Sequence, residues 1–216
     1  MMEALGPAAV LIVVDVQNDF CPGAALAVAG GDQVVPIVNR FAQRFANVVL
    51  TQDWHPAGHI SFATTHAGRT PFEMIALPYG PQVLWPDHCI QGTTGAAFHP
   101  DLEIAHSQTI VRKGYRPDVD SYSGFLEADR VTPTSLGGAL AERGLTDVYI
   151  VGLATDFCVA WTALDARRLG LTTTVVEDAC RAIDAPTVAG GTLAAAWRDM
   201  SAAGVRRLTT DRIGHS

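Results

Sequence analysis

Two stretches of this chain are apolar without alternation, and that property restricts the kind of sheet they can enter. Residues 9–16 (AVLIVVDV) and 149–153 (YIVGL) have strand length but no polar/apolar period of two. A strand that is apolar on both sides must be covered on both sides, as in a parallel sheet sandwiched between helices. An acid inside such a run belongs at the carboxyl edge of the sheet, where ligands bind, and Asp15 is therefore a candidate site residue. The second run continues as residues 148–161 (VYIVGLATDFCVAW), a strand, a tight corner and the first turn of a helix, with Cys158 at the exit of the corner. Thr155 or Asp156 is placed to cap that helix. The free N–H groups and positive end of the helix favour thiolate over thiol at Cys158, and they also suit an oxyanion formed when the thiolate attacks a carbonyl.

The rest of the chain supplies the layers. A Gly/Pro-rich loop ends at Asp32, the expected N-cap of a helix over 33–45. Strands are expected at 47–51, 107–111, 171–176 and 205–208, with helices over 135–143, capped near Thr134 and stopped by Gly144, and over 187–203. Residues 60–107 read as one long loop, too long for a mere connection. The alternation of strands and helices without repeats predicts a doubly wound parallel α/β sheet, and 216 residues at 48% hydrophobic content suffice for one domain spanning 1–216.

Composition excludes some partners. A formal charge of −7 and a pI near 5.4 argue against nucleic-acid or anionic-membrane surfaces and leave a small-molecule substrate as the expected partner. The apolar start of the chain has no basic flank and is broken by Asp15, so it reads as a strand and not as a signal or membrane span. Cys21, Cys89, Cys158 and Cys180 show no CxxC spacing, which predicts a reduced, cytoplasmic protein with at most one reactive thiol. Cys180 follows a strand and two acids but has no lysine or metal ligands of its own, and is assigned a structural role.

The carboxyl edge of the expected sheet gathers further chemistry. Asp53 and His55 lie two apart after the second strand, so that in an extended segment they project to one side and can share a metal. His59 is close enough to join them, and His88, beside Trp85 in LWPDHC, is a distant third ligand. One carboxylate and two imidazoles suit Zn²⁺, Fe²⁺ or Mn²⁺ with positions left open. Lys113 leaves the third strand at the same edge. Asp15, Lys113 and Cys158 form a coherent set there: the carboxylate takes the thiol proton, the ammonium favours the anionic forms, and the sulfur attacks.

The runs VDVQNDFCPGAALAV, TQDWHPAGHISFA, WPDHCIQGTTGA, KGYRPDVDSYSGF and GLATDFCV occur in one order across residues 10–161. Together they resemble the nicotinamidase/pyrazinamidase branch of the isochorismatase-like cysteine hydrolases. The resemblance implies a six-stranded parallel sheet with helices on both faces, a catalytic triad of Asp15, Lys113 and Cys158, and an oxyanion hole from the N–H groups of Ala154 and Cys158 after a cis Leu153-Ala154 peptide. It also implies one divalent metal ion, Zn²⁺ first and Fe²⁺ or Mn²⁺ as alternatives, on Asp53, His55 and His88, with His59 a ligand only in some members. Phe20, Leu26, Trp85 and Tyr122 match positions that line the ring pocket. The implied activity is hydrolysis of nicotinamide to nicotinic acid and ammonia, with pyrazinamide as a related substrate, by a soluble enzyme that acts alone or as a homo-oligomer. Two alternatives stand beside it. A metal-free member acting on another small amide or ester would have no use for the DxH and WPxH motifs, and a non-catalytic α/β binding module would have no use for an intact acid, lysine and thiol. Phe157 is a histidine or tyrosine in some relatives, so no polar role transfers to it, and residues 65–84 carry no motif.

Overall fold

The computed structural model describes residues 4–187 and 190–214. Its centre is a parallel sheet of six strands: β1 (Ala9–Val14), β2 (Val48–Asp53), β3 (Thr109–Lys113), β4 (Asp147–Leu153), β5 (Thr172–Arg181) and β6 (Arg206–Leu208). They are ordered β6-β5-β4-β1-β2-β3. The direction of winding reverses between β1 and β4, so the rim above that pair is the switch point of a doubly wound sheet. Among the described residues four α-helices cover it: α1 (Val34–Ala42), α2 (Leu136–Glu142), α3 (Ala160–Arg168) and α4 (Thr192–Ala202).

The unalternating run in β1 has a direct physical outcome. Side chains of a strand point to opposite faces in turn, so Leu11 and Val13 enter one core with Val34, Val38 and Phe41 of α1. Val10, Ile12 and Val14 enter the other with Leu136 and Leu140 of α2, Ala163 of α3 and Met200 of α4. All six residues of β1 are buried, and each large aliphatic side chain taken from water contributes about 1.5–3 kcal/mol. β4 divides in the same way, Tyr149 and Val151 to the first core and Val148 and Ile150 to the second. The expected helices on both faces are present. Among the described residues no helix is long and apolar enough to cross a membrane.

Several boundaries differ from the sequence reading. β1 ends at Val14, because Asp15 turns the chain with φ +48°. β2 and β3 run further toward the rim than expected, so that Asp53 and Lys113 are their last residues and face each other in register. The first helix is shorter than 33–45: Gly31–Gln33 is a 3₁₀ turn that leads into it, and Asp32 makes no capping bond. Thr134 does accept the Leu136 N–H, at 3.1 Å, and Gly144 closes α2 with φ +63°. The stretch read as a long loop contains an antiparallel hairpin, Met74–Leu77 against Gly80–Val83. β5 absorbs residues 177–181 because its pairing with β4 jumps from Ile150↔Val175 to Gly152↔Cys180, a bulge that lets Glu177 and Asp178 leave the ladder. The last helix begins at Thr192, and residues 188 and 189 of the expected helix lie outside the described residues; Pro186–Thr187 pairs instead with Gly190–Gly191.

Gly152 fixes the contact between the two central strands at the rim. A Cβ there would lie 2.1 Å from the Val14 carbonyl oxygen, and its φ of +114° is one that L side chains rarely adopt. Gly152→Ala is therefore expected to lower stability by about 3 kcal/mol or more in urea unfolding; a midpoint equal to that of the unsubstituted protein would contradict this packing.

Candidate active site

The three strand ends converge on one ammonium. Lys113, 1% exposed, places Nζ 2.9 Å from Asp15 Oδ2, 2.9 Å from the Ser121 carbonyl oxygen and 3.4 Å from Cys158 Sγ, and also donates to Asp53 Oδ1. A second donor, the Thr51 hydroxyl, reaches Asp15 Oδ1 at 2.6 Å. Burial acts to lower the Lys113 pKa, but Asp15, Asp53 and Cys158 around it outweigh that and raise it well above the usual lysine range.

Cys158 arrives by a different local structure from the one expected. Thr155–Val159 forms a single π-helical turn before α3, in which the Ala154 carbonyl accepts from the N–H groups of Phe157 and Val159. Neither Thr155 nor Asp156 caps a helix. The Leu153-Ala154 peptide is cis. Local placement beside a helix start predicted a thiolate, but burial pushes the Cys158 thiol well above its ordinary value. Lys113 pulls the other way, and the Asp15 and Asp53 carboxylates add to the rise. Burial thus disfavours the thiolate here, and the carboxyl group of Asp15 shares the Lys113 ammonium with the sulfur.

Asp53 has two roles where the sequence suggested one. Its Oδ1 meets Lys113 while its Oδ2 faces His55 Nε2 at 3.9 Å and His88 Nε2 at 4.0 Å. Both imidazoles turn Nδ1 toward a carbonyl oxygen, His55 to Gly114 at 2.8 Å and His88 to Pro86 at 2.8 Å, so Nδ1 carries the proton and the Nε2 lone pair is free. Burial, with its neighbouring histidines, holds the His55 pKa far below the usual range, and burial also lowers that of His88, which keeps both rings neutral. Burial drives the Asp53 carboxyl up to about 8 against the pull of Lys113, and a cation at Oδ2 would favour the ionised form. Two neutral nitrogens and one carboxylate oxygen, mutually within 4.8 Å, suit a single divalent ion.

The other ligand groupings are less open. Asp15, Asp53 and Cys158 also cluster, but Lys113 lies among them. His59, whose ring centroid is 4.3 Å from that of His55, has both nitrogens engaged, Nδ1 with the Ser61 hydroxyl at 2.7 Å and Nε2 with the Val119 carbonyl at 3.1 Å. His59 is thus brought to the site without a free lone pair facing Asp53.

Above the sulfur lies a narrow pocket. Phe20, Leu26, Trp85 and Tyr122 line it, as do Ala154, Cys158, Asp53, His55 and His88. The Trp85 ring meets Phe157 edge-on at 4.9 Å, and its indole N–H donates to the Tyr122 hydroxyl at 2.9 Å. Five contributors escaped the sequence reading. Phe157 and Ile183 form apolar wall, Asp120 adds a carboxylate, and Gln82 of the hairpin donates to Asp120 at 2.8 Å and to Tyr122 at 3.0 Å. Gln17, fully buried, clamps the backbone of Asp53: Oε1 accepts its N–H at 2.8 Å, and Nε2 donates to its carbonyl at 2.9 Å and to that of Ala96 at 2.8 Å. Its place inside a quoted motif was the available signal.

With this geometry in view, the chain can be set beside known proteins. The sequence profile of the isochorismatase domain matches residues 9–212. The chain belongs to the isochorismatase family. Within it, the chain is 57% identical over 203 residues to the nicotinamidase of Acinetobacter baylyi, covering 94% of this chain and 93% of that one. The solved nicotinamidase/pyrazinamidase of Acinetobacter baumanii superposes with a TM-score of 0.92 at 56% identity, over 95% of this chain and 98% of that one. The pyrazinamidase of Pyrococcus horikoshii, solved in complex with zinc, superposes with a TM-score of 0.76 at 34% identity, over 94% and 99%.

Gln17→Leu would leave the Asp53 N–H and carbonyl without partners in the interior. A loss of about 2–4 kcal/mol in denaturant unfolding is expected; an unchanged midpoint would show that the clamp is dispensable.

Proposed function

We propose that this chain is a cytoplasmic, single-domain nicotinamidase that hydrolyses nicotinamide to nicotinic acid and ammonia in pyridine nucleotide salvage, and that also accepts pyrazinamide. One observation carries the reading above others: a single buried ammonium ties Asp15 and Cys158 to Asp53, whose other oxygen faces two imidazole lone pairs in the same pocket. The high identity to a nicotinamidase over nearly the whole chain supports it.

The roles follow from proton positions. With the amide carbon over Cys158 Sγ, the thiol proton passes to the Asp15 carboxylate as the C–S bond forms. Lys113 stays charged and offsets the negative charge that moves between sulfur and carboxylate. The developing oxyanion is held by the N–H groups of Ala154 and Cys158, donors fixed before the reaction begins. Asp15 then protonates the nitrogen, ammonia leaves, and a thioester to Cys158 remains. In the second half Asp15 takes a proton from water as the water attacks the thioester, the C–S bond breaks to release the acid, and Asp15 returns that proton to the departing sulfur, which restores the thiol. The ring lies among Phe20, Leu26, Trp85 and Tyr122, where aromatic walls exclude water.

Asp53, His55 and His88 would hold one divalent ion, Zn²⁺ first and Fe²⁺ or Mn²⁺ otherwise. When bound, the ion supplies a Lewis-acidic anchor for the pyridine nitrogen and so fixes the direction of the ring. Zinc in the Pyrococcus horikoshii pyrazinamidase supports that order.

Ammonia release from nicotinamide by the metal-loaded protein tests the proposal. Cys158→Ala and Asp15→Asn are each expected to lower kcat by about 1,000-fold or more with the circular dichroism spectrum retained; turnover within about tenfold of the unsubstituted protein in either would overturn the assigned chemistry. For the metal set, atomic absorption is expected to find roughly one equivalent of divalent metal in the unsubstituted protein and none in Asp53→Ala, and full retention in the variant would reject these ligands.

A further inference from the structure

The turn that carries the nucleophile holds a second buried acid that the mechanism does not use. Asp156, two residues before Cys158, accepts the Ile183 N–H at Oδ1 (3.1 Å) and the Asp184 N–H at Oδ2 (2.8 Å), and Oδ2 also receives the Thr192 hydroxyl. All three donors come from the segment that follows β5. Asp184 adopts φ +50°, a region sparsely occupied outside glycine, and its own Oδ1 accepts the Leu193 N–H at 3.2 Å. The path of the chain at 183–184 is thus set by a carboxylate that belongs to the nucleophile turn.

The consequence lies one side chain away. Ile183 lines the pocket with Phe157, Leu26 and Cys158, while Asp156 does not reach the lining. We infer that Ile183 is a specificity-determining wall of the substrate pocket, excluding heteroaryl amides that carry a substituent on the ring edge facing it, and that Asp156 is the positioning residue that holds this wall against the nucleophile turn. The inference rests on the amide-hydrolase reading above and deepens it.

A carboxylate suits this task because its two oxygens match two successive backbone N–H groups. Asparagine offers one oxygen, and its NH₂ would face a donor, so one N–H loses its partner while side-chain size is conserved. The segment is then released and the isoleucine wall loosens without any change in the groups that touch sulfur. A ring methyl that the wall excludes should thereby gain entry, an effect on the order of 10-fold in relative kcat/KM.

The experiment compares the metal-loaded protein with Asp156→Asn, Ile183→Ala and the double variant. Nicotinamide and ring-methylated nicotinamides, one for each free ring carbon, are the substrates. Ile183→Ala is expected to raise the kcat/KM of at least one methylated amide relative to nicotinamide by about 10-fold. Asp156→Asn should raise the ratio for that same amide through KM more than kcat. The double variant should match Ile183→Ala alone to within about twofold, since a wall already removed has nothing left to position. If Ile183→Ala moves no ratio, the wall is wrong. If Asp156→Asn leaves the ratio unmoved, or moves it equally in the Ile183→Ala background, Asp156 does not act through Ile183. Should Asp156→Asn fail to fold, Thr192→Val removes one of the three donors and carries the same expectations. Turnover of nicotinamide by the unsubstituted protein is read first: its absence defeats the proposed activity, whereas unmoved ratios with intact turnover defeat the wall alone.

Discussion

A lysine ammonium can be held in a protein interior only where anionic and carbonyl oxygens replace the water it has lost. Lys113 meets that condition with Asp15, Asp53 and the Ser121 carbonyl, and the demand reaches through the fold. The acids sit at the ends of β1 and β2, the lysine ends β3, and the carbonyl comes from the polar loop beyond it. Register supplies the alignment, with Asp53 and Lys113 directly opposite on neighbouring strands. Removal of the lysine would leave two carboxylates buried in one place, which is why the rim has to be assembled as a unit.

The fourth contributor enters from the other side of the switch point. β4 can lie close to β1 at the rim because Gly152 has no side chain to meet the Val14 carbonyl, and the π-helical turn that follows presents Cys158 to Lys113 at 3.4 Å. Strand pairing, a missing Cβ and one widened helical turn therefore bring together a sulfur and two carboxylates that are distant in sequence. The same turn sends Asp156 to the segment after β5 and Phe157 to the aromatic wall. Cys158, Phe157 and the anchor of the Ile183 and Asp184 backbone thus fall within one five-residue turn.

The layered sheet and the rim were legible in the sequence because each rests on a local rule. Unalternating apolar runs mean two covered faces, and an acid or lysine at the end of such a run belongs at the edge. Longer-range matters were not legible. The hairpin at 74–83 looked like loop because Pro78, Gly80 and Pro81 punctuate it, and its pairing stands apart from the main sheet. β5 seemed to end before Glu177 and Asp178 because an ordinary strand cannot carry both into a covered sheet, whereas a bulge can. Spacing placed Asp53 and His55 on one side but could not reveal that the carboxylate divides its oxygens between histidines and lysine. The thiol shows the limit most clearly: a helix start nearby argued for a thiolate, and burial among carboxylates decided for a thiol.

That last difference shapes the chemistry. In the proposed reaction Asp15 is a carboxylate paired with the Lys113 ammonium, both histidines are neutral, and the Asp53 carboxyl, raised by burial to about 8, ionises where a cation meets Oδ2. A free thiolate would add a second negative charge in a site with little water, which the Coulomb term disfavours strongly at low effective dielectric. In that reaction the proton therefore moves to Asp15 as the sulfur bonds to carbon, so that this step adds no charge. A cation would be met at Asp53 Oδ2, the oxygen that the two imidazole Nε2 atoms face. In the proposed reaction the substrate enters as a neutral amide and leaves as an acid whose proton passes to solvent, which sets the product carboxylate beside that of Asp15. Repulsion from the acid that served as base then favours release of the product over its return to the thioester.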